Sequence, residues 1–98
     1  MDKIDILIVE DEAIVALEIK RSILKMDFSV SGMVINFDDA IKSIKEKLPN
    51  IVLLDIHLKN SKDGIETAKA IKQIADIPII YLTAFCDDQT IELSLIHI

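Results

Sequence analysis

Each of three apolar runs in this chain ends in polar residues that can do chemistry. Ile4-Asp5-Ile6-Leu7-Ile8-Val9 leads into Glu10-Asp11-Glu12, Ile51-Val52-Leu53-Leu54 into Asp55, and Ile77-Pro78-Ile79-Ile80-Tyr81-Leu82 into Thr83-Ala84. An aspartate at a strand tip can act as a nucleophile and form an acyl phosphate. An acidic pair offers hard oxygen ligands to Mg²⁺. Three carboxylates brought together repel and raise one another's pKa unless a cation sits among them. Mg²⁺ takes about six oxygens near ~2.1 Å; Glu10, Asp11, Asp55 and a backbone carbonyl such as that of His57 would supply part of that set. Thr83 can donate its hydroxyl to a phosphoryl oxygen, and the small Ala84 leaves space for the group to enter. Together these residues describe a metal-assisted phosphoryl-accepting site, where positioning and charge neutralisation carry the catalysis.

Taken singly, each signal is weak. An acidic pair after a strand is most often a favourable charge at a helix N-terminus, and Glu12 is read that way. A lone aspartate is more often a turn or cap residue, and Thr83 alone could be an N-cap. The coincidence of all of them at successive strand ends, in this order, carries the assignment.

The elements that must position these residues alternate. Residues 4–9 are nearly all aliphatic, as in a strand covered on both faces. Residues 12–26 follow with Val15, Ala16, Ile19, Ile23 and Met26 at helical spacing, while Leu17 and Leu24 form a second apolar side. Residues 28–34 read as a strand. Asn36 is an N-cap ahead of Asp38 and Asp39, and Pro49 stops the helix that they open. A strand at 51–55, a polar loop at 59–64, a helix at about 65–75 and a strand at about 78–83 complete the pattern. Asp87-Asp88 is expected to open a last helical stretch. Such alternation means an α/β fold with a parallel sheet and right-handed crossovers. All strand C-termini then emerge on one edge, where ligands bind.

Ninety-eight residues make one domain. A hydrophobic content of 51% excludes a disordered tail, and a net charge of −6 argues against nucleic-acid binding by this segment. The only cysteine, Cys86, has no internal partner, which favours a reducing compartment. No apolar run approaches the ~20 residues of a membrane span, and no signal peptide is visible before the first strand. A cytoplasmic domain is expected. His57 lacks further His or Cys at ligand spacing, so its carbonyl matters more than its ring. Cys86 is read as a small packing residue, and His97 has no role.

The chain resembles the receiver domain of two-component response regulators. The resemblance rests on residues 6–12 (Ile-Leu-Ile-Val-Glu-Asp-Glu), 52–56 (Val-Leu-Leu-Asp-Ile), Asp63-Gly64 and 77–84 (Ile-Pro-Ile-Ile-Tyr-Leu-Thr-Ala), and it covers residues 4 to about 92. It implies a flavodoxin-like doubly wound parallel sheet, the (βα)₅ receiver fold. It also implies that a histidine kinase or phosphotransfer protein passes a phosphoryl group to Asp55. Glu10, Asp11 and Asp55 would hold Mg²⁺, aided by the His57 carbonyl, and Thr83 would be the switch hydroxyl. Such a domain is a signalling phosphoacceptor that assists only its own phosphoryl transfer and hydrolysis.

Two departures stand out. Lys59 replaces a proline often found in that loop, which is also one residue longer than the common form. The family places a lysine and a switch aromatic on a fifth strand, and no lysine follows Lys72. The fifth strand and helix are therefore expected to be missing, leaving the strand at 78–83 as an aggregation-prone edge and uncovering Leu17 and Leu24.

Leu93–Ile98 is what CTG-TCT-CTT-ATA-CAC-ATC encodes, a string similar to the end of a transposon adapter used in DNA library preparation. The expected organisation is a receiver domain at 1–92, incomplete at its C-terminus, and a non-native tail at 93–98. Two rival functions remain. One is an aspartyl-nucleophile phosphohydrolase or phosphotransferase of haloacid-dehalogenase type, although His57 stands where those enzymes want a second aspartate. The other is a receiver-like interaction module that no longer uses phosphate, against which Glu10, Asp11, Asp55 and Thr83 all argue.

Overall fold

The structure is a computed structural model that describes residues 3–56, 58, 63–85 and 90–95, with residues 83–85 and 90–95 described by their backbone. Among the described residues, five strands, β1 (Asp5–Val9), β2 (Ser29–Val34), β3 (Ile51–Asp55), β4 (Ile79–Phe85) and β5 (Thr90–Leu95), form one sheet in the order β2-β1-β3-β4-β5. The first four run parallel, and β5 runs antiparallel to β4. Three helices, α1 (Ala13–Lys25), α2 (Phe37–Glu46) and α3 (Gly64–Ile74), make the crossovers.

Local chemistry explains the boundaries. The Asn36 side chain accepts from the Asp39 amide at 2.8 Å, and Asp38 and Asp39 lie in the first turn of α2, where negative charge suits the helix dipole. After α1, Asp27 takes φ 65°, a left-handed conformation that Asp adopts more readily than most residues. That reversal turns the chain directly into β2.

The sheet has two unlike faces. On one, Leu7, Val9, Val52, Leu54, Ile79 and Tyr81 pack with Ala40 and Ile44 of α2 and Ala68 and Ile71 of α3. On the other, Ile6, Ile8, Leu53 and Leu82 meet Ala16, Ile19 and Ile23 of α1 alone. Beside α1 lies an apolar cavity of about 370 Å³, bordered by Ile19, Met26, Phe28, Leu53 and Ile80. Leu17 and Leu24, the expected second side of α1, are about half exposed.

The structure corrects the expectation for the end of the chain. Thr90–Leu95 is a strand rather than part of a helix opened at Asp87-Asp88. Ile91, Leu93 and Leu95 alternate with Thr90, Glu92 and Ser94, the period of a strand. Pairing from Ile80↔Leu95 to Phe85↔Thr90 also supplies hydrogen-bond partners to an outer edge of β4 that would otherwise be open. β4 is thus an inner strand, not the edge expected. The four residues between β4 and β5 permit only an antiparallel return, since a parallel one needs a crossover of about a dozen residues or more. Asp87, Asp88, Cys86, Lys59 and His97 lie outside the described residues.

Candidate functional site

β1 and β3 are neighbours, with β2 beyond one and β4 beyond the other. The chain order reverses between them, and the crevice at that reversal is where open α/β sheets bind ligands. The last β1–β3 pair is Val9↔Leu54, so the next residues, Glu10 just past β1 and Asp55 at the last position of β3, stand side by side at that edge. The Glu10 amide still donates to the Val34 carbonyl at 3.0 Å, which holds Glu10 in line with the strand. The chain then turns sharply, and the Glu12 amide donates to Glu10 Oε1 at 3.0 Å. Glu12 sits at the N-cap position of α1 without a side-chain capping bond.

These constraints gather the expected acidic residues. One carboxylate oxygen from each of Glu10, Asp11 and Asp55 lies within 4.8 Å of the others. Glu10 is 4% exposed, whereas Asp11 and Asp55 are half-buried. Burial pushes the Glu10 carboxyl up from its ordinary 4.5 to about 8. The Glu12 amide opposes that rise, while the charge of Asp55, a hydrogen bond with it and the charge of Asp11 add to it. A cation among the three oxygens would reverse this balance, because its charge is the largest in such a site. An all-carboxylate set suits a hard ion such as Mg²⁺.

Of the other expected residues, Thr83 follows Leu82, the β4 partner of Asp55, and so stands at the same edge of the sheet. His57 lies outside the described residues. One contributor was not recognised from sequence. Gly64, noted only as part of the Asp63-Gly64 motif, returns to the end of β3, where its amide donates to the Ile56 carbonyl at 2.9 Å. The one hint was a glycine closing a polar loop.

Comparisons with known proteins agree with this fold. The family model for the response regulator receiver domain matches residues 6–96. The chain is 28% identical over 82 residues to the phyllosphere-induced regulator PhyR of Methylorubrum extorquens, covering 83% of this chain and 31% of that protein. It is 32% identical over 96 residues to the probable C4-dicarboxylate response regulator DctR of Bacillus subtilis, covering 92% and 40%. Among solved structures, PhyR of Bartonella quintana in complex with the anti-sigma factor NepR superposes with a TM-score of 0.85 at 26% identity, covering 98% of this chain and 42% of that one. The NMR structure of the PhyR REC domain of Erythrobacter litoralis gives a TM-score of 0.77 at 25% identity, covering 83% and 63%. The chain therefore spans about a third to two-fifths of the curated relatives it matches.

Proposed function

The chain belongs to the receiver domains of response regulators, and from that premise we propose that Asp55 is its phosphoacceptor. The observation that carries this reading is the meeting of Glu10, Asp11 and Asp55 oxygens within 4.8 Å at the crevice where the strand order reverses. The match to receiver domains leaves the dehalogenase-type reading without support.

The donor is a phosphohistidine on a histidine kinase or phosphotransfer protein. An oxygen of the ionised Asp55 carboxylate attacks phosphorus, the P–N bond to the imidazole breaks, and the departing nitrogen takes up a proton. The product is an acyl phosphate on Asp55. Glu10, Asp11 and Asp55 are the side chains that would hold Mg²⁺, with the His57 carbonyl as a further ligand. Bound there, Mg²⁺ supplies positive charge against the phosphoryl oxygens. Glu10 must give up its proton to serve as a ligand, and a shared cation is what makes its ionised form favourable. Thr83, the β4 residue after the one that pairs with Asp55, is the switch hydroxyl, donating to a phosphoryl oxygen and carrying its part of β4 with it.

The proposed extents are 1–92 for the receiver and 93–98 for a non-native tail. The codons for Leu93–Ile98 test the latter, and any string other than the adapter-like one refutes it. No helix among the described residues is long and apolar enough to cross a membrane, and a kinase-fed receiver belongs in the cytoplasm.

Acetyl phosphate with Mg²⁺ tests the central assignment without a cognate kinase. The chain should gain one acid-stable, base-labile phosphoryl group, and Asp55→Asn should lose it, because an amide cannot form the acyl phosphate. Label retained in Asp55→Asn and mapped elsewhere by mass spectrometry would move the phosphoacceptor.

A further inference from the structure

After Asp55-Ile56 the chain leaves the sheet, and it comes back to it at Gly64, the first residue of α3. Gly64 is buried there, with its amide bonded to the Ile56 carbonyl. A Cβ built on Gly64 would lie 2.7 Å from Ile56 Cα, 3.0 Å from the Asp55 carbonyl carbon and closer still to the Asp55 carbonyl oxygen. All three are backbone atoms, so no side-chain rotation could make room. The requirement is for space alone, because none of the described glycines has positive φ.

The backbone on the α3 side is held at several points. The first turn of α3 is fixed by the Asp63 carboxylate, which accepts from the Glu66 amide at 2.9 Å. Buried Thr67 also donates its hydroxyl to the Asp63 carbonyl at 2.9 Å. One turn further on, Ala68 and Ile71 are fully buried in the core. β3 is in register with β1 as far as Leu54 and with β4 as far as Asp55, which lies opposite Leu82. A side chain at position 64 would therefore press directly on Asp55-Ile56, at the end of β3.

We infer that Gly64 is a positioning residue for Asp55. Lacking a side chain, it lets the first turn of α3 seat directly against the Asp55-Ile56 backbone. That contact sets how far the Asp55 carboxylate reaches toward Glu10 and Asp11. The inference rests on the reading of Asp55 as phosphoacceptor and metal ligand, a role in which a misplacement of about 1 Å can cost on the order of 10²-fold in rate.

The test compares Gly64→Ala with Ile71→Ala in the full chain, following Mg²⁺ titrations by amide NMR shifts together with thermal melts and acetyl phosphate labelling. Gly64→Ala should weaken Mg²⁺ binding at least ~10-fold and slow labelling by roughly 10- to 100-fold. Ile71→Ala, which loosens α3 away from Asp55, should lower the melting temperature yet leave Mg²⁺ affinity within about twofold of wild type. Wild-type Mg²⁺ affinity in a folded Gly64→Ala variant would overturn the positioning role. Should that variant fail to fold, the wild-type titration decides: Mg²⁺ must shift the Gly64 and Asp55 amides together, and a silent Gly64 beside a responding Asp55 overturns the inference. If wild type neither binds Mg²⁺ nor takes phosphate, it is the reading of Asp55 that falls.

Discussion

The closed face of the sheet and its carboxylate edge are built on opposite terms. Under α2 and α3, Leu7, Val9, Val52 and Leu54 are fully buried among other apolar side chains, where burial of apolar surface favours the folded state. At the ends of the same strands, Glu10, Asp11 and Asp55 crowd their carboxylates together, and burial pushes the Glu10 carboxyl up to about 8. The first region supplies stability that the second partly gives back. A site that must receive a cation and a phosphoryl group is pre-formed at a cost when empty, and the neighbouring core carries that cost.

The largest effect expected from this contrast is a pH dependence. Glu10 has a folded pKa of about 8 against an ordinary 4.5, so between those values the folded state binds more protons than the unfolded one. Stability therefore falls as pH rises from about 4.5 to 8 and levels off above, by up to roughly 5 kcal/mol. Melts across that range should show the slope, Glu10→Gln should abolish it, and saturating Mg²⁺ should flatten it. A flat profile for the metal-free wild type would remove the contrast between the two regions.

Truncation on the closed face comes next. Leu54→Ala should cost about 2–5 kcal/mol, because its neighbours cannot collapse into the space. Ile19→Ala, beside the α1-side cavity, should fall at or below the low end of that range. Equal losses in denaturant titrations would mean that the two faces are packed alike.

The smallest effect sharpens the picture of the closed face. A discord on that face is Tyr81, 2% exposed, with a buried hydroxyl that meets no hydrogen-bond partner among the described residues and a pKa raised by that burial. Tyr81→Phe removes an unsatisfied polar atom and should stabilise by about 1 kcal/mol. A loss of stability would show that the hydroxyl has a partner in solution.

The parts legible in the sequence were those set by periodicity and capping. Aliphatic runs announced β1 and β3, the Ala16, Ile19 and Ile23 stripe announced α1, and Asn36 marked the start of α2. The carboxylate cluster was legible because a parallel sheet sends every strand end to one edge, so chain position implied proximity. Residues 90–95 were misread because an acidic pair before a mixed stretch fits a helix start as well as it fits a turn. What decided between them was the open edge of β4, a tertiary fact. The tight seat of Gly64 was illegible for a similar reason, since sequence records a missing side chain but not the backbone that needs the room.

The return of β5 along β4 also bears on the order in which the sheet can close. Joining β1 to β3 means bringing Ile6 to Ile51, and joining β3 to β4 means bringing Val52 to Ile79, whereas the β4–β5 hairpin begins at Phe85 and Thr90. Loop entropy grows with the logarithm of length, so the roughly nine-fold longer β1–β3 closure costs on the order of 2 kcal/mol more. Local hairpins form in microseconds, and long-range parallel pairs come later. Ile79, Ile80, Tyr81 and Leu82 thus acquire an outer neighbour before the rest of the sheet reaches them, which shortens the time an apolar strand spends with both edges bare.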